Sequence, residues 1–533
     1  MLVFIQKMLK MLDESRMLLY NYIMMKKNIL IISILLITFC GSSLFSQRVI
    51  PIAGCNLIVQ EITNEDINLK TISKAPNWFA GVFAGVDVNN PTKFVLNMGG
   101  TEQNSPGDVT KWNGLRPVYT YAKYLDYDTY IYYTKNAEGY WVNSDPFLNE
   151  TEKLAGNGPV PVQNIIPAQF AGEFLSVDGK FWSCWQEITD TSVDGMNNFH
   201  MTRKFSSPDV SIAMKYPYTY DYEAEYMARL NAANIAGVTV HNIGKSREEH
   251  ELFVVEICDP NAKPEQLKDR PVVLMFSNEQ GSESEGGWVI NGAMNFLMSD
   301  DDAAKNILKK VSFLFIPILD PVGWSTSTYA GMTYDFRYQG TKIRPEVVAY
   351  ANFINEWNGD HEKRLDIAMN ILNIECNEGP NVFCPMLESN QHDEIDALNK
   401  FFLPQLEKLQ GVKTSPNYWI QWGFSSNRFA GWCAYMWGAI QMSYEVNSRY
   451  PGKILPLNEM NTLGESFVTA LEKYFETDEY ERAYPKMEKH RASQTALRKE
   501  MLPGYLDSEE RYAGKPNYDV DALRDFRIVG RGF

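Results

Sequence analysis

From Pro271 onward, uninterrupted apolar runs alternate with segments of helical period. Pro271–Phe276 is such a run, Gly287–Met298 has helical spacing, and Val311–Leu319 is apolar again. Pro345–Trp357 reads as a helix with proline at its first position, where the missing N–H costs nothing. Ile367–Ile374 and Ala439–Val446 continue the strands; His392–Leu409 and Met460–Phe475 continue the helices. A strand that is apolar at every position is covered on both faces, whereas a half-exposed one alternates. The pattern predicts an α/β domain, a mixed sheet with helices on both faces. In such sheets functional side chains gather at the carboxyl ends of strands. The residues just after each run are therefore the ones to inspect.

Residues 47–205 have a different texture. Short clusters of β-formers, such as Trp78–Phe83 and Thr129–Tyr133, are punctuated by Asn, Asp, Gly and Pro. That spacing predicts an antiparallel β-sandwich domain. No unit of 20–50 residues repeats, which excludes a solenoid. At the other end, charge density rises after Asp478. Arg482–Arg498 reads as a solvated helix within a charged C-terminal tail, 481–533.

Met25-Lys26-Lys27, the apolar run Ile29–Phe39 and the small residues up to Ser46 have the order of a secretory signal peptide, residues 25–46. The run is shorter than the about 20 residues a membrane-spanning helix needs. Residues 1–24 then read as a start-site overcall. The expectation is an exported protein, periplasmic or extracellular, with no transmembrane segment after signal cleavage. A net charge of −16 excludes a nucleic-acid partner, because phosphate contacts need an excess of Lys and Arg. None of the seven cysteines forms a Cys-x-x-Cys pair, so a cysteine zinc site is not expected. Cys376 and Cys384 are the nearest candidates for a disulfide; buried free thiols fit the sequence as well.

The strand ends carry a recognisable series. Gln280-Gly281-Ser282-Glu283 follows the first run, Asp320-Pro321-Val322-Gly323 the second, Asn373-Ile374-Glu375 the third, and Ser443-Tyr444-Glu445 closes the fourth. Ile243-Gly244-Lys245-Ser246 and Lys215-Tyr216-Pro217-Tyr218-Thr219-Tyr220 precede them. Taken in order, these six pieces resemble the zinc metallocarboxypeptidases, most closely the cytosolic carboxypeptidase branch. The resemblance implies a carboxypeptidase-like domain over 206–480, preceded by a β-sandwich. It also implies a peptide substrate and zinc held by two His and one Glu, with a position open for water. In that family the metal polarises the scissile carbonyl, a separate glutamate moves the proton, and an arginine clamps the terminal carboxylate.

Mapped onto this chain, Glu445 takes the place of the catalytic glutamate and Arg337 that of the clamp. Gln280, Glu283 and Glu375 occupy the metal positions. Glu283 and Glu445 keep the family's residue type. Gln280 and Glu375 stand where it has histidine, and a shift of one residue brings Glu279 to the first position, again without His. Beside Arg337, Phe336 stands where the family has a hydrogen-bonding asparagine, and Tyr329-Ala330 stands where it often has Tyr-Arg. The six histidines are His200, His241, His250, His361, His392 and His490, and none falls at a matching strand end. An amide and two carboxylates suit calcium or magnesium better than zinc. The expectation is a carboxypeptidase-family protein, degenerate at its zinc site, that hydrolyses C-terminal residues of peptides where activity survives. The alternative is a non-catalytic peptide- or glycan-binding protein on the same scaffold.

Overall fold

The computed structural model describes the strands within 48–143 and most of 182–213. Within 216–495 it describes all but 247, 280–282, 322–344, 360–363, 374–381, 386–397, 411–414, 417–428 and 447–456. All the described residues lie in one compact unit, Arg48–Phe533.

Most of the described N-terminal strands form two five-stranded sheets, and four short ones form two separate pairs. In the first, Val210–Ala213 is central, antiparallel to Ala80–Ala84 and to Val118–Tyr121. This sheet therefore takes a strand from beyond residue 205. In the second, Asn198–Arg203 pairs antiparallel with Thr92–Asn97. Asp66–Lys70 and Thr92–Asn97 are parallel, a departure from the all-antiparallel expectation. The cause is topological. Between those two strands the chain contributes Ala80–Ala84 to the other sheet and then returns, and such a crossover restores the same direction.

The larger sheet has eight strands: β1 (Val238–Lys245), β2 (Glu251–Ile257), β3 (Val272–Ser277), β4 (Ser312–Ile316), β5 (Ile367–Asn373), β6 (Val382–Pro385), β7 (Ser415–Pro416) and β8 (Ile440–Val446). Their order is β1-β2-β4-β3-β5-β8-β6-β7. The central four, β4, β3, β5 and β8, are mutually parallel, while β2 runs against β1 and β4, and β6 runs against β8. This is the mixed sheet expected. Every residue of β3, β4 and β5 is buried, as runs without alternation require.

Among the helices that cover it are α1 (Tyr220–Ala233), α2 (Ser284–Leu297), α3 (Pro345–Gly359), α4 (Phe429–Trp437), α5 (Leu457–Phe475) and α6 (Asp478–Ser493). Two apolar cores result. One holds α1, α2, α5 and α6 with the odd-numbered side chains of β3, among them Val273 and Met275. The other holds α3 and α4 with Val272, Leu274 and Phe276. The helix α2 approaches the sheet closely because Gly286 lies at its first turn. A Cβ there would come within 2.3 Å of the Ile371 carbonyl oxygen and 2.5 Å of the Ser277 Cβ.

One expectation is corrected. The helix around 482 is not simply solvated. α6 begins at Asp478, with Thr477 capping Tyr480 N–H at 3.3 Å, and it buries Tyr480, Ala483 and Met487. Those three positions lie three and four apart, which makes one apolar stripe on an otherwise charged helix.

Candidate functional site

The carboxyl ends of β3, β4, β5 and β8 lie along one rim of the sheet because these strands are parallel. Ser277 and Asn278 end β3. Asn278 is buried in the left-handed region at φ 53°, where asparagine is among the few tolerated side chains. Its amide donates to the Pro317 carbonyl at 3.0 Å, and the Ser277 hydroxyl donates to the same oxygen. Leu319 N–H and Asp320 N–H donate back to the carbonyls of Ser277 and Asn278 at 2.9 and 3.1 Å. Residues 317–320 are thereby laced to the end of β3, and the fully buried Asp320 is fixed.

Two further side chains hold the same turn. Glu223 of α1 accepts from Ile318 N–H at 3.1 Å, and Tyr350 of α3 donates to the Ile318 carbonyl at 3.3 Å. Glu223 is almost completely buried, and burial pushes its carboxyl well above the usual carboxylate range. Burial likewise pushes the Tyr350 phenol up, with the nearby carboxylates of Glu223, Glu346 and Asp320 adding to it. Sequence reasoning missed both residues. Nothing in the local pattern of either helix distinguishes them from neighbours that only fill the core.

Glu283 immediately precedes α2 and is 4% exposed. Its placement depends on the segment at 216–220. The Tyr216 carbonyl accepts from Ser284 Oγ at 2.9 Å and from Trp288 Nε1 at 3.3 Å. Tyr218 packs edge-on against Trp288 with ring centroids 4.9 Å apart, and Thr219 caps α1. The aromatic segment read as a motif thus locks the first turn of α2 and, with it, Glu283.

Glu445 lies on β8, half-buried between Tyr444 and Val446, opposite Leu372 of β5. β3 and β8 flank β5, two strand spacings or about 10 Å apart. Glu445 therefore stands beside the end of β5, and Glu283 stands just ahead of the helix whose Gly286 packs against Ile371 of the same strand. Gln280, Glu375 and Arg337 themselves lie outside the described residues, as do His361, His392, Cys376 and the signal segment 25–46.

The alternative register through Glu279 has a different geometry. Glu279 is fully buried, accepting from Asn370 Nδ2 at 2.6 Å and from Phe429 N–H, at the start of α4, at 2.9 Å. Its carboxylate serves to join β5 to α4. The four described histidines lie away from the ends of β3, β5 and β8. His200 pairs with Asp194 at 2.9 Å, His241 with Glu256 at 3.1 Å, His250 with Glu248 at 3.8 Å, and His490 is in the last turn of α6. Cys258 and Cys433 are free thiols. Among the described residues no three His, Cys, Asp or Glu side chains converge as a metal site, and no helix is long and apolar enough to cross a membrane.

With that geometry established, the family model for zinc carboxypeptidase matches residues 223–366, from the buried Glu223 to Asp366 at the start of β5. Over those residues the chain is similar to the zinc carboxypeptidases. Similar curated proteins are cytosolic carboxypeptidases. The chain is 24% identical to cytosolic carboxypeptidase 3 of Mus musculus over 163 residues, 27% of this chain and 16% of that protein. It is 24% identical to cytosolic carboxypeptidase 6 of Caenorhabditis elegans over 215 residues, 38% of this chain and 45% of that one. The matches span less than half the length of these relatives. The carboxypeptidase fold extends further than the matched sequence. The metallo-carboxypeptidase of Burkholderia cenocepacia superposes with a TM-score of 0.57 at 13% identity, covering 80% of this chain and 99% of that one. That of Pseudomonas aeruginosa gives 0.54 at 14% identity, over 80% and 98%.

Proposed function

We propose that this chain is an exported carboxypeptidase-family protein that engages the C-terminal ends of peptides and has lost zinc-dependent hydrolysis. The strands from Arg48 to Ala213 form its β-sandwich domain, ahead of a carboxypeptidase-like domain that runs to about 480. The observation that carries the reading is the pair Glu283 and Glu445, one just ahead of α2 and one on β8, two elements that both pack against β5. The loss is read from the donor set. Protein zinc sites draw on imidazole nitrogen and thiolate sulfur, with a carboxylate as a third ligand. Gln280, Glu283 and Glu375 offer only oxygen, and no described histidine lies at the ends of β3, β5 or β8. These residues do not fit zinc. Arg337 supplies the positive partner for the peptide carboxylate.

Binding of one labelled peptide with a free C-terminus, and of the same peptide amidated, tests this. The free form should bind at least about tenfold more tightly, since one charge-assisted pair is at stake. Arg337→Ala should abolish the difference. Amino-acid release should equal that of Glu445→Gln. Equal binding of both peptides, or release that Glu445→Gln abolishes, contradicts the proposal.

A further inference from the structure

A second concavity lies three strand spacings from β3, between the edge strand β1 and α3. It is an open cleft of about 780 Å³, within the size range of ligand sites. One wall is β1 from His241 to Lys245, the other the face of α3 that carries Val348, Asn352, Phe353 and Glu356. Its upper end, at Lys245 and Pro345, opens on the same rim of the sheet as Glu283 and Glu445. The order of strands places it well apart from them.

The lining has an unbalanced charge. Lys245 is matched by Glu249, Nζ to Oε2 at 3.2 Å, and His241 by Glu256, Nε2 to Oε2 at 3.1 Å. Glu356 is exposed and has no ion-pair partner among the described residues. Beside it, Phe353 is partly buried, its ring 5.0 Å from that of His241. The Asn352 Oδ1 is a buried acceptor with no hydrogen-bond partner. Val348, Ala349 and Ile243 supply apolar wall. A carboxylate without a counter-ion, an aromatic face and an apolar wall suit a cation on a hydrocarbon stem. β1 is an edge strand among the described strands, so alternate backbone N–H and C=O groups on its outer side lack a strand partner. Those groups suit an extended peptide.

We propose that this cleft docks a lysine or arginine side chain of an extended peptide, with Glu356 as counter-ion and Phe353 against the stem. The site is independent of the carboxypeptidase reading. A labelled peptide acetylated at its N-terminus and amidated at its C-terminus, with one central lysine, offers no terminal carboxylate and so isolates the cleft. Replacing that lysine by norleucine keeps the stem and removes the charge. The full-length protein should bind the lysine peptide about tenfold more tightly than the norleucine one, a difference of about 1.4 kcal/mol. Glu356→Gln, at an exposed position, should leave folding unchanged and bring the two peptides within about twofold of each other. Backbone amides of 238–245 should exchange more slowly with the peptide bound. Equal binding of the two peptides, a preference that survives Glu356→Gln, or free lysine binding as tightly as the peptide overturns the proposal.

Discussion

Asp366 shows how a single side chain can fix the base of this sheet. It is fully buried, and its carboxylate accepts from Arg364 Nε at 3.0 and 2.8 Å, from Tyr480 Oη at 2.7 Å and from Val272 N–H at 2.9 Å. Its backbone accepts from Ile440 N–H at 2.7 Å. One residue thus joins β3, β5, β8 and α6 at the end of the sheet opposite the candidate site. Arg364 is almost as buried and stacks over the Tyr484 ring at 3.8 Å. Removing one partner of such a pair leaves the other charged and unsatisfied. Asp366→Asn should therefore lower unfolding free energy by about 3–5 kcal/mol in urea titrations. A loss below about 1 kcal/mol would place the pair among weakly coupled surface contacts. The sequence offers Arg364-Leu365-Asp366 as an ordinary polar lead into a strand. Its weight depends on Tyr480, 114 residues away.

At the scale of elements, the turn after β4 is held between α1 and α3 through Ile318, and Glu223 makes that hold pH-dependent. In the unfolded chain this carboxyl has an ordinary value near 4.5, and in the fold burial raises it well above that. Below the ordinary value both states keep the proton and pH has no effect. Between the ordinary and the raised value only the folded state keeps it. Stability therefore falls as pH rises, by up to about 1.4 kcal/mol per pH unit. Glu223→Gln preserves an acceptor for Ile318 N–H and cannot ionise. Thermal melts should show the variant gaining on the wild type as pH rises above 4.5. A difference that stays flat across that range contradicts the assignment. The same scale shows what was legible. The fully apolar β3, β4 and β5 were plain in the sequence, because burial on both faces leaves no polar positions. The starts of α2 and α5 were placed three residues late, at Gly287 and Met460 rather than Ser284 and Leu457. For α2, the first residue is held by the Tyr216 carbonyl, which a local pattern does not reveal. α6 was misjudged because its buried stripe is only three side chains among many charges.

Over the whole molecule, the α/β sheet and the order of its strand ends were readable because each depends on neighbours in sequence. The parallel pair in the N-terminal sheets was not, since it arises from a strand contributed to another sheet. The site was half legible. Glu283 and Glu445 were picked out by their places after the apolar runs, while the contacts around the strand ends, Tyr216 with Ser284, Gly286 with Ile371 and the clamp on Ile318, cross long separations. The proposed function rests on a carboxypeptidase-like scaffold in which Gln280 and Glu375 stand in place of two metal-binding histidines. Zinc content of the purified protein, measured beside that of a Gln280→His/Glu375→His double variant, tests it most directly. The account predicts no stoichiometric zinc in the wild type and about one per chain in the variant, since two imidazoles and Glu283 complete a zinc site with an open position. One zinc per chain in the wild type, or none in the variant, would contradict it.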